Sequence, residues 1–153
     1  MKAFLSYSIK DSDQIIISLL STQLREKGFH VLTSQNFFSE YVDYTTQNEI
    51  DRANIFIGII SNASQYPKRV IDEWNLAETS GTPTILLIEK GVNINPDFKG
   101  DYVLFDRRYP NDAIQEINRK MSQSKESSSA WPWIIGGALV LGLVKVFSSI
   151  NDD

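Results

Sequence analysis

The side chains with the most chemical promise lie in residues 61–74. There a polar turn, Ser61-Asn62-Ala63-Ser64-Gln65-Tyr66, leads into Pro67 and a helix-like run that carries Glu73. Pro67 has the fixed φ that suits a first helical position. Val70, Trp74 and Ala77, at spacings of four and three, form one apolar stripe, which puts Glu73 at the edge of the buried face. Residues 55–60 just upstream, Ile-Phe-Ile-Gly-Ile-Ile, are apolar and mostly β-branched, the pattern of a parallel strand buried on both faces. Open α/β sheets bind ligands beyond the carboxyl ends of such strands. A carboxylate half-sunk there is a candidate catalytic group. The competing reading is an ordinary solvated acid on a helix flank.

Several chemistries are excluded by residue type. The chain has no cysteine, which removes disulfides, thiolate zinc sites and thiol catalysis, and its single histidine, His30, cannot build a His-based triad or metal cluster. His30 sits in a short strand pattern and reads as a strand-edge side chain. The loop after the first strand, Tyr7-Ser8-Ile9-Lys10, holds no glycine, so neither a dinucleotide fingerprint nor a Walker loop is present. A phospho-receiver would want an aspartate after the third strand, where Ser61-Asn62 stand. No metal is expected. A net charge of -4 with scattered basic residues argues against a nucleic-acid partner. What remains is one carboxylate beside hydroxyls and aromatics. That suffices for an N-glycosidic bond whose leaving group is already cationic: the nicotinamide of NAD departs without a general acid. The carboxylate then only holds the ribose hydroxyls and stabilises an oxocarbenium-like transition state.

The elements that must position this group follow from the rest of the chain. At 153 residues it can hold one ordinary core and an appendage. No apolar stretch follows Lys2, so the amino terminus is expected to stay in the cytosol, and residues 2–7 alternate like a strand. Asp11 and Gln14 have capping-box spacing, Ile15, Leu19, Leu20 and Leu24 recur at helical intervals, and Lys27-Gly28 closes the helix. A second strand over Phe29-His30-Val31-Leu32, a polar and aromatic loop from Thr33 to Tyr44, and a short helix near Asp43 to Ala53 come next. Strands at Thr84 to Ile88 and Tyr102 to Phe105 follow the Glu73 helix, and Ala113, Ile114, Ile117 and Met121 mark a last helix. Alternating strands and helices predict a flavodoxin-like α/β fold: a five-stranded parallel sheet of order 2-1-3-4-5, helices on both faces, and a crevice between strands 1 and 3. Ser6-Tyr7-Ser8 and the 61–73 segment should face each other there.

Beyond this domain, residues 1–121, composition changes. Residues 122–130 are a Ser-rich linker. Residues 131–150 are apolar enough for a transmembrane helix of roughly 30 Å at 1.5 Å per residue, and 151–153 form a short acidic tail. Lys145 is near enough to the end to snorkel, Trp131 and Trp133 fit an interfacial belt, and Ala138 with Gly142 make a small-xxx-small pair. Arg119, Lys120 and Lys125 precede the span, so the chain is expected to be a single-pass protein of the cell membrane with its domain in the cytoplasm.

The residues also resemble a known family. Ala3-Phe4-Leu5-Ser6-Tyr7-Ser8 with Asp11, Ile50-x-x-Ala53-x-x-Phe56-Ile57, and Ser61-x-x-Ser64 followed by Val70-x-x-Glu73-Trp74 are similar to motifs of TIR (Toll/interleukin-1 receptor) domains, particularly bacterial ones, from about Lys2 to Met121. The resemblance implies NAD as substrate, with Glu73 as the catalytic glutamate and Tyr7, Ser8, Ser34 and Phe37 at the nucleotide, where Arg69 is expected as well. It further implies hydrolysis or cyclisation of NAD, often in antiviral defence or signalling, by domains that act when self-assembled. Two positions depart from the family: Arg69 stands where it often has tryptophan, and the Ser34 to Tyr44 loop lacks its usual glycine. A non-catalytic TIR-TIR adaptor at the membrane is the alternative. A nucleoside deoxyribosyltransferase-like enzyme would share the fold and a glutamate.

Overall fold

The computed structural model describes residues 1–8, 14–26, 28–34, 40–62, 64, 67–100, 102–106 and 108–109. Five strands, β1 (Lys2–Ser6), β2 (His30–Thr33), β3 (Ile55–Ile60), β4 (Thr84–Glu89) and β5 (Val103–Phe105), form one parallel sheet in the order β2-β1-β3-β4-β5. Among the described residues, three helices join the strands from β1 to β4: α1 (Gln14–Glu26), α2 (Tyr44–Asp51) and α3 (Pro67–Thr79). The expected topology is therefore observed. The chain runs from β1 to β2 in one direction and from β3 through β5 in the other, so right-handed crossovers put α1 on one face and α2 with α3 on the opposite face.

Local chemistry sets the element ends. Asp43 caps α2 by accepting a hydrogen bond from the Thr46 N–H at 2.7 Å. After α1, Gly28 at φ +90° allows its own N–H to reach the Arg25 carbonyl while Phe29 N–H reaches Leu24, a paired closure that needs a left-handed residue. Of the stripe expected on α1, Leu24 is buried; the side chains of Ile15, Leu19 and Leu20 lie outside those described, as do the Asp11 cap, Phe37, the helix expected at Ala113 to Met121 and everything beyond it. The membrane span expected over 131–150 is thus outside the described residues, among which no helix is long and apolar enough to cross a membrane.

The face that carries α2 and α3 holds the core used by the site. Phe4, Phe56, Ile60, Leu86 and Ile88 project from the sheet against Ile50 of α2 and Val70, Trp74 and Ala77 of α3. Phe4 and Phe56, adjacent in the β1–β3 register, stack at 5.8 Å, and Trp74 meets Phe98 edge-on at 5.3 Å. Trp74 is therefore a core residue, as its stripe implied. Gly58 makes the close approach of α3 possible: a Cβ built there would lie 2.9 Å from Leu86 Cδ1, 3.2 Å from Phe56 Cε1 and 3.3 Å from Val70 Cγ1. All three neighbours are buried and have little room to yield. Gly58→Val should therefore destabilise the fold by about 1–3 kcal/mol through overpacking, seen as a lower urea midpoint at unchanged m-value.

Candidate functional site

The site is assembled where β1 and β2 end beneath α3. Phe4 and Ser6 face α3 because strand side chains alternate, and β1–β2 pairing of Leu5 with Thr33 brings Ser34 alongside Ser6. Ser6 is also in register with Gly58, over which Val70 seats the helix. One turn further along α3, Glu73 comes down onto the two hydroxyls. Ser6 Oγ donates to Glu73 Oε2 at 3.0 Å, and the Ser34 side chain adds another hydrogen bond. Helical spacing of four residues brings Arg69 to the same carboxylate: its Nη1 donates to Glu73 Oε1 at 3.1 Å, while Nη2 donates to the backbone carbonyl of Tyr7.

Both members of this ion pair are fully buried. Glu73 is thus deeper than the half-sunk position its stripe suggested, because a cation on the same helix face accompanies it inward. Burial raises the Glu73 carboxyl above its ordinary value of 4.5, against the lowering pull of Arg69 and of the Ser6 and Ser34 hydroxyls. The sign follows directly. The folded protein holds this proton more tightly than the unfolded chain, so the group favours the fold at acid pH and that contribution fades as pH rises through the native value. Burial also raises the phenol of Tyr7, with Arg69 opposing.

The residues expected at the nucleotide divide four ways. Ser34 touches Glu73 directly. Tyr7 and Ser8 continue β1 into the site, Ser8 buried and Tyr7 half-buried, with Tyr7 joined through its backbone to Arg69. Arg69 is drawn inward by Glu73, and Phe37 lies outside the described residues. Ser6 was expected to face the 61–73 segment and does so; its bond to Glu73, and the part played by Glu89, escaped the sequence reading. Ser6 was visible as the last inward residue of a strand whose preceding inward residue is Phe4. Glu89, buried at the end of β4, accepts from Asn62 N–H at 2.9 Å and so fixes the turn that launches α3. Ser64 Oγ, accepting from Ser61 N–H at 2.9 Å, tightens the same turn.

A cavity of about 520 Å³ opens at the carboxyl ends of β3 and β4, walled by Ile60, Ile71, Ile88, Val92, Ile94 and Phe98. Lys68 and Asp72, paired at 2.7 Å, stand on its rim. Neither Glu73 nor Arg69 lines it, so this apolar cavity and the buried carboxylate lie on different flanks of α3. Among the described residues, no cluster of three His, Cys, Asp or Glu side chains is placed to hold a metal ion.

The fold and this site define a flavodoxin-like α/β domain with a buried, hydroxyl-bonded glutamate at the tip of its first strand. No protein-family model matches the sequence, and no curated protein matches it. Among solved structures the chain is similar to the CMP N-glycosidase of Clostridium botulinum, at a TM-score of 0.48 and 19% identity, covering 69% of this chain and 89% of that one. It is also similar to the TIR domains of the activated Roq1 resistosome, at a TM-score of 0.47 and 12% identity, covering 99% of this chain and 84% of that one. Neither likeness assigns a role to a residue.

The ion pair makes its own prediction. Arg69→Leu leaves a buried carboxylate without its cation, which should cost about 3–5 kcal/mol at neutral pH. Because Glu73 then takes up a proton readily, the deficit against wild type should shrink between pH 7 and pH 5 in urea titrations. Replacing both residues by leucine should recover most of the loss.

Proposed function

We propose that this protein is a membrane-anchored, TIR-like NAD glycohydrolase or cyclase in which Glu73 acts on the nicotinamide ribose. The observation that supports it best is the carboxylate held by Ser6, Ser34 and Arg69 at the ligand end of β1. Its motif setting, Ser61 to Trp74, resembles that of enzymatic TIR domains. In the reaction the bond between C1′ and the pyridinium nitrogen breaks, and both electrons leave with nicotinamide, which becomes neutral. Positive charge passes to C1′ and the ring oxygen, where Glu73 stabilises it while accepting hydrogen bonds from the ribose hydroxyls. Water then adds at C1′ with loss of a proton, or a nucleophile of the same nucleotide closes the ring. Self-assembly of the domains, aided by two-dimensional concentration through residues 131–150, completes the site, and the product serves defence or signalling.

The complete burial of Glu73 favours a second reading, a non-catalytic TIR-TIR interaction module at the membrane. Turnover separates the two. The full chain in lipid vesicles, incubated with NAD, should release nicotinamide, and Glu73→Gln should lower the rate on the order of 10²–10³-fold while circular dichroism shows a retained fold. Release that survives the substitution rejects the role of Glu73. Since the ionised form is the active one, kcat/KM should fall on the acid side at a pH above the ordinary carboxyl value of 4.5.

A further inference from the structure

Nothing can touch Glu73 as it stands. One carboxylate oxygen is taken by Arg69 and the other by Ser6, with Ser34 adding a third bond, and the side chain has no exposed surface. A ligand must therefore displace a partner. Ser6 belongs to a buried strand and Ser34 follows one directly; both are buried on one-carbon stems with nowhere to go. Arg69 differs: its guanidinium hangs on a long flexible stem and already reaches past the end of β1 to the Tyr7 carbonyl. Among the described partners of Glu73, it is the one whose side chain can swing away without moving a strand or its end.

Withdrawing it leaves a cation and an anion, each stripped of its partner in a site that excludes water. The ligand that replaces the pair must then supply both complements, an anion for Arg69 and positive charge with hydroxyl donors for Glu73. A phosphorylated nucleoside with a cationic base carries both, on either side of one ribose. Arg–phosphate pairing also offers two parallel hydrogen bonds in place of the single Arg69 bond to Glu73.

We propose that the Arg69–Glu73 pair is an ionic lock opened by the phosphate of a zwitterionic nucleotide, which makes Arg69 the residue that selects nucleotides over nucleosides. The inference rests on the N-glycosidic reading of Glu73 and goes beyond it by assigning the phosphate requirement to one side chain.

The test compares substrates with the same scissile bond and the same leaving group. The full chain in vesicles is given NAD, nicotinamide mononucleotide or nicotinamide riboside, the last lacking phosphate. Wild type should release nicotinamide from both nucleotides with kcat/KM about 10–100-fold above the riboside, the scale of one charged hydrogen-bonded pair. Arg69→Gln should collapse the ratio of nucleotide to riboside kcat/KM toward one, whatever it does to the rate common to all three, and Arg69→Lys should restore part of the ratio. A purely structural arginine would lower all three alike. Inorganic pyrophosphate should compete with NAD on wild type, and this arm stands even if Arg69→Gln fails to fold. Equal rates from nucleotides and riboside, or no competition by pyrophosphate, overturn the lock and leave the glycosidase reading intact. Release from none of the three overturns both.

Discussion

The structure depends on holding a full negative charge out of water at the meeting point of β1, β2 and α3. A carboxylate in that position is tolerable only if each oxygen is bonded and a cation lies against it. The surrounding sequence supplies these requirements one by one: Ser6 and Ser34 on adjacent strand ends, and Arg69 one helical turn before Glu73. Were any of the three replaced by an apolar residue, the carboxylate would have to protonate or leave the interior.

Positioning comes from the backbone. β3 carries glycine where β1 carries Ser6, so α3 can rest on the sheet closely enough for a glutamate to reach a serine hydroxyl. The entry to α3 is equally fixed. Glu89 at the end of β4 binds the Asn62 N–H, and the Asn62 side chain donates to the Lys90 carbonyl at 3.2 Å, tying the β3–α3 turn to the neighbouring strand. Chemistry and packing thus share residues. The helix that fills the core with Val70, Trp74 and Ala77 is the one that carries the ion pair on its flank.

Much of this was legible from residue order. The run from Ile55 to Ile60 is a strand because six apolar, mostly β-branched residues bounded by polar turns suit burial on both faces, and the helix from Pro67 follows from its proline and its stripe. The alternation of elements implied a parallel sheet, for which the flavodoxin-like order was the expected one, and crossover handedness then sets the helix faces. Depth was harder to read. A lone glutamate on a stripe's edge looks half-exposed, and the neutralising partner four residues earlier was assigned to the nucleotide rather than to Glu73. Helical spacing permits the pair, but only tertiary packing turns both side chains inward. The place of Ser6 opposite residues 61–73 was legible, but its bond to Glu73 was not, since a serine at a strand end gains meaning only from the helix above it.

Stability alone does not account for Arg69. A buried ion pair contributes little compared with well-packed apolar side chains of similar volume, and replacing one by such residues is often neutral or stabilising. The flank of α3 already adjoins an apolar core, and an apolar or aromatic residue would suit it. A charged pair at that point would, as an ionic lock, oppose opening by electrostatics, which an apolar contact cannot do selectively. Apolar packing yields to any ligand of the right shape, whereas a buried pair yields only to a ligand that replaces both charges. The same burial that makes Glu73 inaccessible in the isolated domain is therefore what would let the domain discriminate by charge.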